Sequence, residues 1–167
     1  MPSYNAPVKD QLFVLNDVLN VNQYNNVPGF ADATPDIISA VLEEGGKFCE
    51  NVLYPLNKTG DREGCTLKDG EVTTPAGFKD AYKQMTEGGW TALSADPNYG
   101  GQGLPAYLNL AFNEMVTSAN MAFGMYPGLT GGAVHALTIG GSDEQKELYL
   151  PKMISGEWSG TMNLTEP

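Results

Sequence analysis

The feature that most constrains this chain is a long amphipathic stretch, ATPDIISAVLEEGGKFCENVLYPLN, at residues 33–57. Thr34 can cap a helix, Pro35 suits the first helical position, and Asp36 lies near the positive end of the helix dipole. Apolar residues then recur at steps of three and four, which predicts a long helix with one inward face. The residues on that predicted face are Ile37, Ile38, Val41, Leu42, Phe48, Val52, Leu53 and Leu56.

A pair of glycines, Gly45 and Gly46, interrupts this helical pattern. Two glycines inside a helix cost about 2 kcal/mol of helix propensity. The same small residues would let a second helix approach closely. The pair is therefore either a weak point of the helix or a contact point.

Similar start and stop signals predict further elements in the first half of the chain. Leucines at every third or fourth position predict a short helix over residues 8–20. An Asp-Gly pair at residues 69–70 predicts the turn of a small hairpin. A Thr-Pro pair at residues 74–75 predicts a helix start, and the Gly-Gly pair at residues 88–89 predicts its end.

The second half of the chain continues the helical pattern. Pro105 begins a helix, and the Pro-Gly pair at residues 127–128 predicts a turn before a separate helix. Ser142 and Gln145 form a capping-box pattern at the start of the last helix. Pro151 falls late in that helix and is expected to kink or shorten it.

The chain closes on SGTMNLTEP at residues 159–167, where polar residues alternate with small or apolar ones as they do along a strand. One strand is not a stable unit by itself. We therefore expect a mainly α fold that ends in the first strand of a β domain, with the other strands beyond residue 167.

Composition narrows the functional classes. Twenty acidic residues against nine basic ones give a formal net charge of −11, which disfavours nucleic acid and anionic membranes as partners. Cys49 and Cys65 lack metal-ligand spacing, and the N-terminus shows no secretory leader pattern. We therefore expect no metal site, free thiols and a cytoplasmic location.

Three stretches of the chain together resemble the acyl-CoA dehydrogenase family. They are GGWTALSADPNYGGQGLP at residues 88–105, SANMAFGMYPGLTGGAVHAL at residues 118–137 and GSDEQKELYLPKMISGEWSGTMNLTEP at residues 141–167. The N-terminal segment is similar to a bacterial branch of the family that includes 3-methylmercaptopropionyl-CoA dehydrogenases.

This resemblance implies a fold and its division. The expected fold is the N-terminal helical domain of the acyl-CoA dehydrogenase fold, ending in the first strand of an absent β domain. The implied parts are an N-terminal extension at residues 1–34, the helical domain at 35–157 and the strand at 158–167. The chain would then be the N-terminal fragment of a longer protein.

The resemblance also implies the chemistry. Members of the family remove a proton from Cα and a hydride from Cβ of an acyl-CoA thioester, and FAD accepts the hydride. The catalytic glutamate comes from the C-terminal domain, so no catalytic residue is expected here. We expect the whole protein to bind FAD, acyl-CoA and an electron acceptor, and the fragment to retain no FAD and to be inactive. Four glutamates match the base by residue type only: Glu114, Glu144, Glu147 and Glu157.

Binding residues follow from the same resemblance. It places Met162, Leu164 and Thr165 along the flavin ring. It places a second set at the far end of the acyl pocket, where ordinary helix packing explains the same residues equally well. That set is Met125, Tyr126, Leu129 and Thr130.

Two weaker signals favour structural roles. The glycines of YGGQGLP at residues 99–105 lack the spacing of a phosphate-binding loop and predict a turn. His135 is the only histidine, and no nucleophilic or metal-binding set can be built around it, which favours a packed or surface position.

Three interpretations of the whole chain follow. It is the N-terminal part of an FAD-dependent acyl-CoA dehydrogenase, a non-catalytic helical module derived from that family, or part of an acyl-CoA oxidase or flavin monooxygenase of the same architecture. Helix faces that have lost their neighbouring domains favour association, so we expect a homo-oligomer.

Overall fold

The computed structural model describes residues 3–161, which form six helices and one hairpin. The helices are α1 (Val8–Phe13), α2 (Pro35–Phe48), α3 (Tyr54–Glu63), α4 (Phe78–Glu87), α5 (Ala106–Gly140) and α6 (Asp143–Ile154). π-helical turns lie at Val14–Val18 and Cys49–Leu53, and 3-10 turns lie at Val21–Tyr24, Trp90–Ala92 and Pro97–Tyr99. The expected mainly α class is confirmed.

α2 begins at the residue that its sequence predicts. The Thr34 hydroxyl oxygen accepts a hydrogen bond from the Ile37 backbone N–H at 3.4 Å, and Pro35 occupies the first turn. The helix then passes through a π-helical turn into α3 and continues to Glu63, so the predicted long helix is confirmed. Ile37 itself is 41% exposed and does not belong to the inward face.

The core forms where α2 packs against the first half of α5. Phe112 is fully buried there, and its ring stacks on Trp90 with 4.6 Å between centroids. A Cβ at Gly45 would lie 2.9 Å from the Phe112 ring, and a Cβ at Gly46 would lie 3.0 Å from the nearest methyl of the N-terminal segment. The glycine pair is therefore a close contact point, which was one of its two interpretations.

The polar stretch after α3 forms the expected hairpin. Strand β1 (Thr66–Lys68) pairs antiparallel with β2 (Glu71–Thr73). Asp69 and Gly70 both have positive φ, 52° and 84°, as a two-residue hairpin turn of this type requires. Every residue of the two strands is exposed, so the hairpin stands outside the core.

α4 begins later than the Thr-Pro pair predicts. It starts at Phe78 rather than at Pro75, because Gly77 adopts a left-handed conformation with φ 85°. A Cβ at Gly77 would lie 2.7 Å from Leu56 Cδ2, so the turn before α4 packs tightly against α3. The predicted stop at residues 88–89 is confirmed.

The predicted and observed structures differ most in α5, because the prediction of a turn at Pro127-Gly128 is wrong. The helix bends instead at Asn120, whose backbone angles are non-helical (φ −158°, ψ 87°). The Asn120 side-chain oxygen accepts a hydrogen bond from the Phe123 N–H at 3.1 Å and caps the second half of the helix. Pro127 then lies inside that second half without ending it.

α6 begins with the predicted capping box. Ser142 Oγ accepts from the Gln145 N–H at 3.3 Å, and Gln145 Oε1 accepts from the Ser142 N–H at 2.9 Å. Pro151 does not shorten the helix, which runs on past it. The chain then turns at Gly156 and continues without regular structure to Thr161. The rest of the predicted strand, residues 162–167, lies outside the described residues.

Candidate functional site

A cleft of about 440 Å³ lies between α4, α5 and the loop that follows α4. Both halves of α5 line it, on either side of the bend. The α5 residues in its wall include Asn109, Asn113, Thr130, Gly131, His135 and Thr138. The other elements contribute residues such as Tyr82, Met85, Trp90, Thr91, Asp96 and Met153.

The bend in α5 brings residues from the two halves of this helix into the same cleft. Asn109 and His135 line the same cleft, although they stand near opposite ends of one helix. A straight helix would hold them roughly 39 Å apart, because each residue advances the axis by about 1.5 Å. A space of about 440 Å³ does not extend over such a distance, so the cleft exists because α5 is bent.

Asn120 stabilises the bend through two side-chain hydrogen bonds. The residue is fully buried, its amide nitrogen donates to the Leu53 carbonyl at 3.1 Å, and its amide oxygen caps Phe123. It therefore ties α5 to the π-helical turn that joins α2 and α3. The role of Asn120 was not predicted from the sequence, although an Asn directly before the apolar Met-Ala-Phe run is a helix-start signal.

Polar groups in the cleft wall form hydrogen bonds that stabilise the fold. The Tyr82 hydroxyl donates to the Gly156 carbonyl at 3.2 Å, and the Thr91 hydroxyl donates to the Ile154 carbonyl at 2.9 Å. Burial, and to a smaller extent the neighbouring Tyr126, raises the pKa of Tyr82 above its usual value. The phenol therefore stays protonated and keeps its donor role around neutral pH.

The cleft carries little charge. No Lys or Arg of the described part of the chain lines it, and Asp96 is the acidic residue in its wall. One Asp96 carboxylate oxygen accepts a hydrogen bond from the Asn98 N–H at 2.8 Å, so this group also holds a turn. His135 lies in the wall in an exposed position. Such a cleft suits an uncharged ligand group better than a phosphate.

The four residues assigned to an acyl pocket separate into two groups. Thr130 is 7% exposed and lines the cleft. Met125, Tyr126 and Leu129 are 64, 53 and 39% exposed and lie outside the cleft wall. Tyr126 still contacts that wall through the ring of Tyr82, with 5.1 Å between centroids. The residues assigned to the flavin ring, Met162, Leu164 and Thr165, lie outside the described residues.

None of the four glutamates that match a base by residue type lines the cleft. Glu114 accepts a hydrogen bond from a glutamine amide at 3.4 Å, and Glu157 lies 3.4 Å from the Lys152 ammonium group. Hydrogen bonds from its own backbone N–H and from the Ser142 hydroxyl lower the pKa of Glu144. These carboxylates occupy helix ends and surfaces.

The glycine-rich stretch before α5 forms the predicted turn. Gly100 and Gly103 have positive φ, 91° and 66°, and the Leu104 N–H donates to the Leu93 carbonyl at 2.9 Å. Among residues 3–161, no cluster of three or more His, Cys, Asp or Glu side chains could hold a metal ion. No helix within the same range has the length and apolar character needed to cross a bilayer.

Comparison with known proteins identifies the family of this chain. Residues 39–157 match the acyl-CoA dehydrogenase N-terminal domain. The chain belongs to the acyl-CoA dehydrogenase family. This membership confirms the expected fold class, an acyl-CoA dehydrogenase N-terminal helical domain.

Three curated acyl-CoA dehydrogenases illustrate the similarity. A 3-methylmercaptopropionyl-CoA dehydrogenase of Ruegeria pomeroyi is 46% identical over 165 residues, and a butyryl-CoA dehydrogenase of Syntrophomonas wolfei is 36% identical over 169 residues. The broad-specificity linear acyl-CoA dehydrogenase FadE5 of Mycobacterium tuberculosis is 32% identical over 169 residues. These alignments cover 99, 99 and 100% of this chain but only 28, 28 and 27% of the relatives.

The described residues fit only part of what an FAD-dependent enzyme must bind. The diphosphate of FAD needs cationic side chains or a set of free backbone N–H groups. The cleft wall contains no Lys or Arg within the described residues, so it offers the diphosphate no cationic side chain. Its size and low charge fit an acyl chain better than a diphosphate.

Proposed function

We propose that this chain is the N-terminal part of an FAD-dependent acyl-CoA dehydrogenase, which forms a double bond between Cα and Cβ of an acyl-CoA thioester. The observation that carries the proposal is the match of residues 39–157 to the N-terminal domain of the family. Because the chain spans 28% of the Ruegeria and Syntrophomonas relatives, the rest of the active site would come from sequence outside these residues.

The cleft is proposed to receive the distal end of the acyl group. Thr130 lies in its wall, and Met125, Tyr126 and Leu129 are proposed to close on the acyl chain once the rest of the protein covers them. Two relatives are named for short acyl groups, 3-methylmercaptopropionyl and butyryl, which supports a short-chain substrate.

The flavin is proposed to bind farther along the chain, with Met162, Leu164 and Thr165 beside its ring, and when bound it takes the hydride from Cβ. The Cα proton would pass to a glutamate outside this chain. The proposed parts are an N-terminal extension at residues 1–34, a helical domain at 35–157 and a first strand at 158–167. The 167 residues alone would retain no FAD and would be inactive.

Exposed apolar side chains support a larger assembly. A groove of about 370 Å³ between α1 and α5 is lined by Val14, Leu19 and Leu110, which are 44, 49 and 72% exposed. Since most of a relative's length lies outside this chain, we propose that the rest of the same polypeptide covers the groove. The whole protein is proposed to be a cytoplasmic homo-oligomer that uses acyl-CoA and an electron acceptor, without nucleic-acid or membrane partners.

Turnover by a longer product of the same gene tests this proposal. It should be yellow and should oxidise butyryl-CoA or 3-methylmercaptopropionyl-CoA with an artificial electron acceptor. The 167-residue chain, purified in parallel, should be colourless and should show no turnover. Stoichiometric flavin in the short chain would contradict the claim that its binding site is incomplete.

The second candidate function is a non-catalytic helical module of the same family. It is favoured by one observation, that none of the described glutamates lines the cleft. It predicts that the longer product is also colourless and leaves both acyl-CoA substrates unchanged. That result would replace the first proposal with the second.

A further inference from the structure

One hydrogen bond joins the cleft wall to the chain that leaves α6. The Gly160 backbone N–H donates to the Thr130 hydroxyl oxygen at 3.1 Å. Thr130 is 7% exposed and lines the cleft, so the bond forms at the cleft wall and not at an open surface. A buried side-chain acceptor that binds a backbone N–H 30 residues away fixes the path of that backbone.

The packing around Gly160 shows how closely this segment lies on α5. A Cβ at Gly160 would lie 2.7 Å from Ala133 Cβ, 3.2 Å from Met153 Cε and 3.3 Å from Thr130 Cα. A contact of 2.7 Å is shorter than real Cβ atoms tolerate, so only glycine allows the backbone to approach in this way. Met153 itself lines the cleft.

A second bond attaches the same segment to the opposite wall. The Tyr82 hydroxyl, which belongs to α4, donates to the Gly156 carbonyl at 3.2 Å. Between the two attachment points, the Trp158 N–H donates to the Lys152 carbonyl at 3.0 Å, and the Lys152 ammonium group lies 4.4 Å from the Trp158 ring centroid. The segment from Gly156 to Gly160 is therefore tied to α4 at one end and to α5 at the other.

We propose that Thr130 is a positioning residue that fixes the chain leaving α6 against α5, so that the cleft wall at Thr130 and Met153 keeps its shape. Its hydroxyl acts through this segment and takes no part in the chemistry. The claim that the wall receives an acyl group rests on the proposed function above. The claim that Thr130 directs the chain does not, and the two are tested separately.

Amide hydrogen exchange on the 167-residue chain tests the positioning role. Thr130→Val keeps the side-chain shape and removes the acceptor, so exchange of the Gly160 amide should become about five- to tenfold faster. Thr130→Ser keeps the hydroxyl and should restore protection to near the wild-type rate. The control is Thr59→Val, because the Thr59 hydroxyl is exposed and bonds only carbonyls of its own helix.

A glycine substitution reports on the same contact from the other side. Gly160→Ala should release the segment by the clash with Ala133 while leaving the amides of α2 as protected as in the wild type. If Gly160 exchange is unchanged in Thr130→Val, or if Thr130→Ser exchanges as fast as Thr130→Val, the positioning role is overturned. Equal acceleration throughout the chain would also overturn it, because that result marks general destabilisation.

Kinetics of the longer gene product test the link to the acyl site. Thr130→Val should raise KM for butyryl-CoA about fivefold with a smaller change in kcat, since part of the binding wall is displaced. An unchanged KM beside faster Gly160 exchange would overturn the link while leaving the positioning role in place. A wild-type product that oxidises no acyl-CoA would instead refute the proposed function, and the exchange result would stand.

Discussion

Asn120 is the residue on which the cleft depends. It is fully buried, and its one amide group donates to Leu53 and accepts from Phe123. Few side chains can do both, because the task needs a donor and an acceptor on one short, uncharged group. The bend, and with it the meeting of the two halves of α5, therefore follows from a single side chain.

Replacement of Asn120 by alanine should be costly. Asn120→Ala removes both hydrogen bonds and leaves buried backbone groups without partners, so the free energy of unfolding should fall by about 2–4 kcal/mol. Urea unfolding followed by circular dichroism measures the change. Asn51→Ala is the control, since Asn51 is exposed and bonds only the Lys47 carbonyl of its own helix. Equal stability losses in the two variants would contradict the role given to Asn120.

The two cysteines should differ sharply in reactivity. Burial, with a smaller contribution from Glu50, raises the pKa of the Cys49 thiol to about 12, while Cys65 is exposed. At about pH 8 only about one Cys49 thiol in ten thousand is then ionised, and the thiolate is the reactive form. A thiol reagent such as DTNB should modify one cysteine per folded chain, and Cys65→Ser should abolish that fast reaction. Rapid reaction of both thiols would contradict the burial of Cys49.

The raised pKa of Cys49 also has a consequence for stability. The folded state favours the neutral thiol, so this contribution is fully present below the ordinary thiol pKa. It is lost as the pH rises towards about 12, where the folded thiol itself ionises. Stability from this residue is therefore constant through the neutral range and declines only in alkali.

Among the helices, the crossing of α2 and α5 depends on a glycine. Gly45→Ala would gain helix propensity of about 1 kcal/mol but would push a methyl group against the stacked Phe112 ring. We expect the clash to dominate and the unfolding free energy to fall by about 1–3 kcal/mol. Gly132→Ala is the matched control, because a Cβ there meets nothing within 4 Å, and it should stabilise the chain slightly. A stabilising Gly45→Ala would contradict the close helix contact.

The elements that sequence reasoning predicted correctly are those with local causes. The cap at Thr34, the capping box at Ser142 and the hairpin turn at Asp69 each depend on residues within a few positions of one another. The bend in α5 has a partly distant cause, since Asn120 also binds a carbonyl 67 positions away. The Pro127-Gly128 pair predicts a turn, but the second half of the helix begins at the Asn120 cap and continues through Pro127.

The candidate site was less predictable than the helices. Thr130 was assigned to the acyl pocket from the family resemblance, and the structure places it in the cleft wall. Its bond to Gly160 could not be predicted, because it depends on how α6 returns to α5. The cleft itself follows from the bend, and so no local pattern in the sequence marks it.

The molecule as a whole combines a cleft of little charge with an acidic overall composition. The sequence has a net charge of −11, and within residues 3–161 Asp96 is the acidic residue in the cleft wall, which carries no Lys or Arg. That separation suits the proposed acyl group in the cleft, and we propose that protein outside this chain holds the CoA phosphates. The exposed apolar groove between α1 and α5 is consistent with a chain that forms about a quarter of its relatives.

Anaerobic addition of butyryl-CoA to the longer gene product, followed by visible spectroscopy, tests whether this chain is part of an FAD-dependent acyl-CoA dehydrogenase. We expect a flavin spectrum that bleaches as the acyl-CoA is oxidised, because the cleft of this chain is proposed to hold the acyl group during hydride transfer. Parallel addition of 3-methylmercaptopropionyl-CoA should bleach it as well. A bound flavin whose spectrum neither substrate changes, or a gene product without flavin, would contradict the proposed acyl-CoA dehydrogenase function.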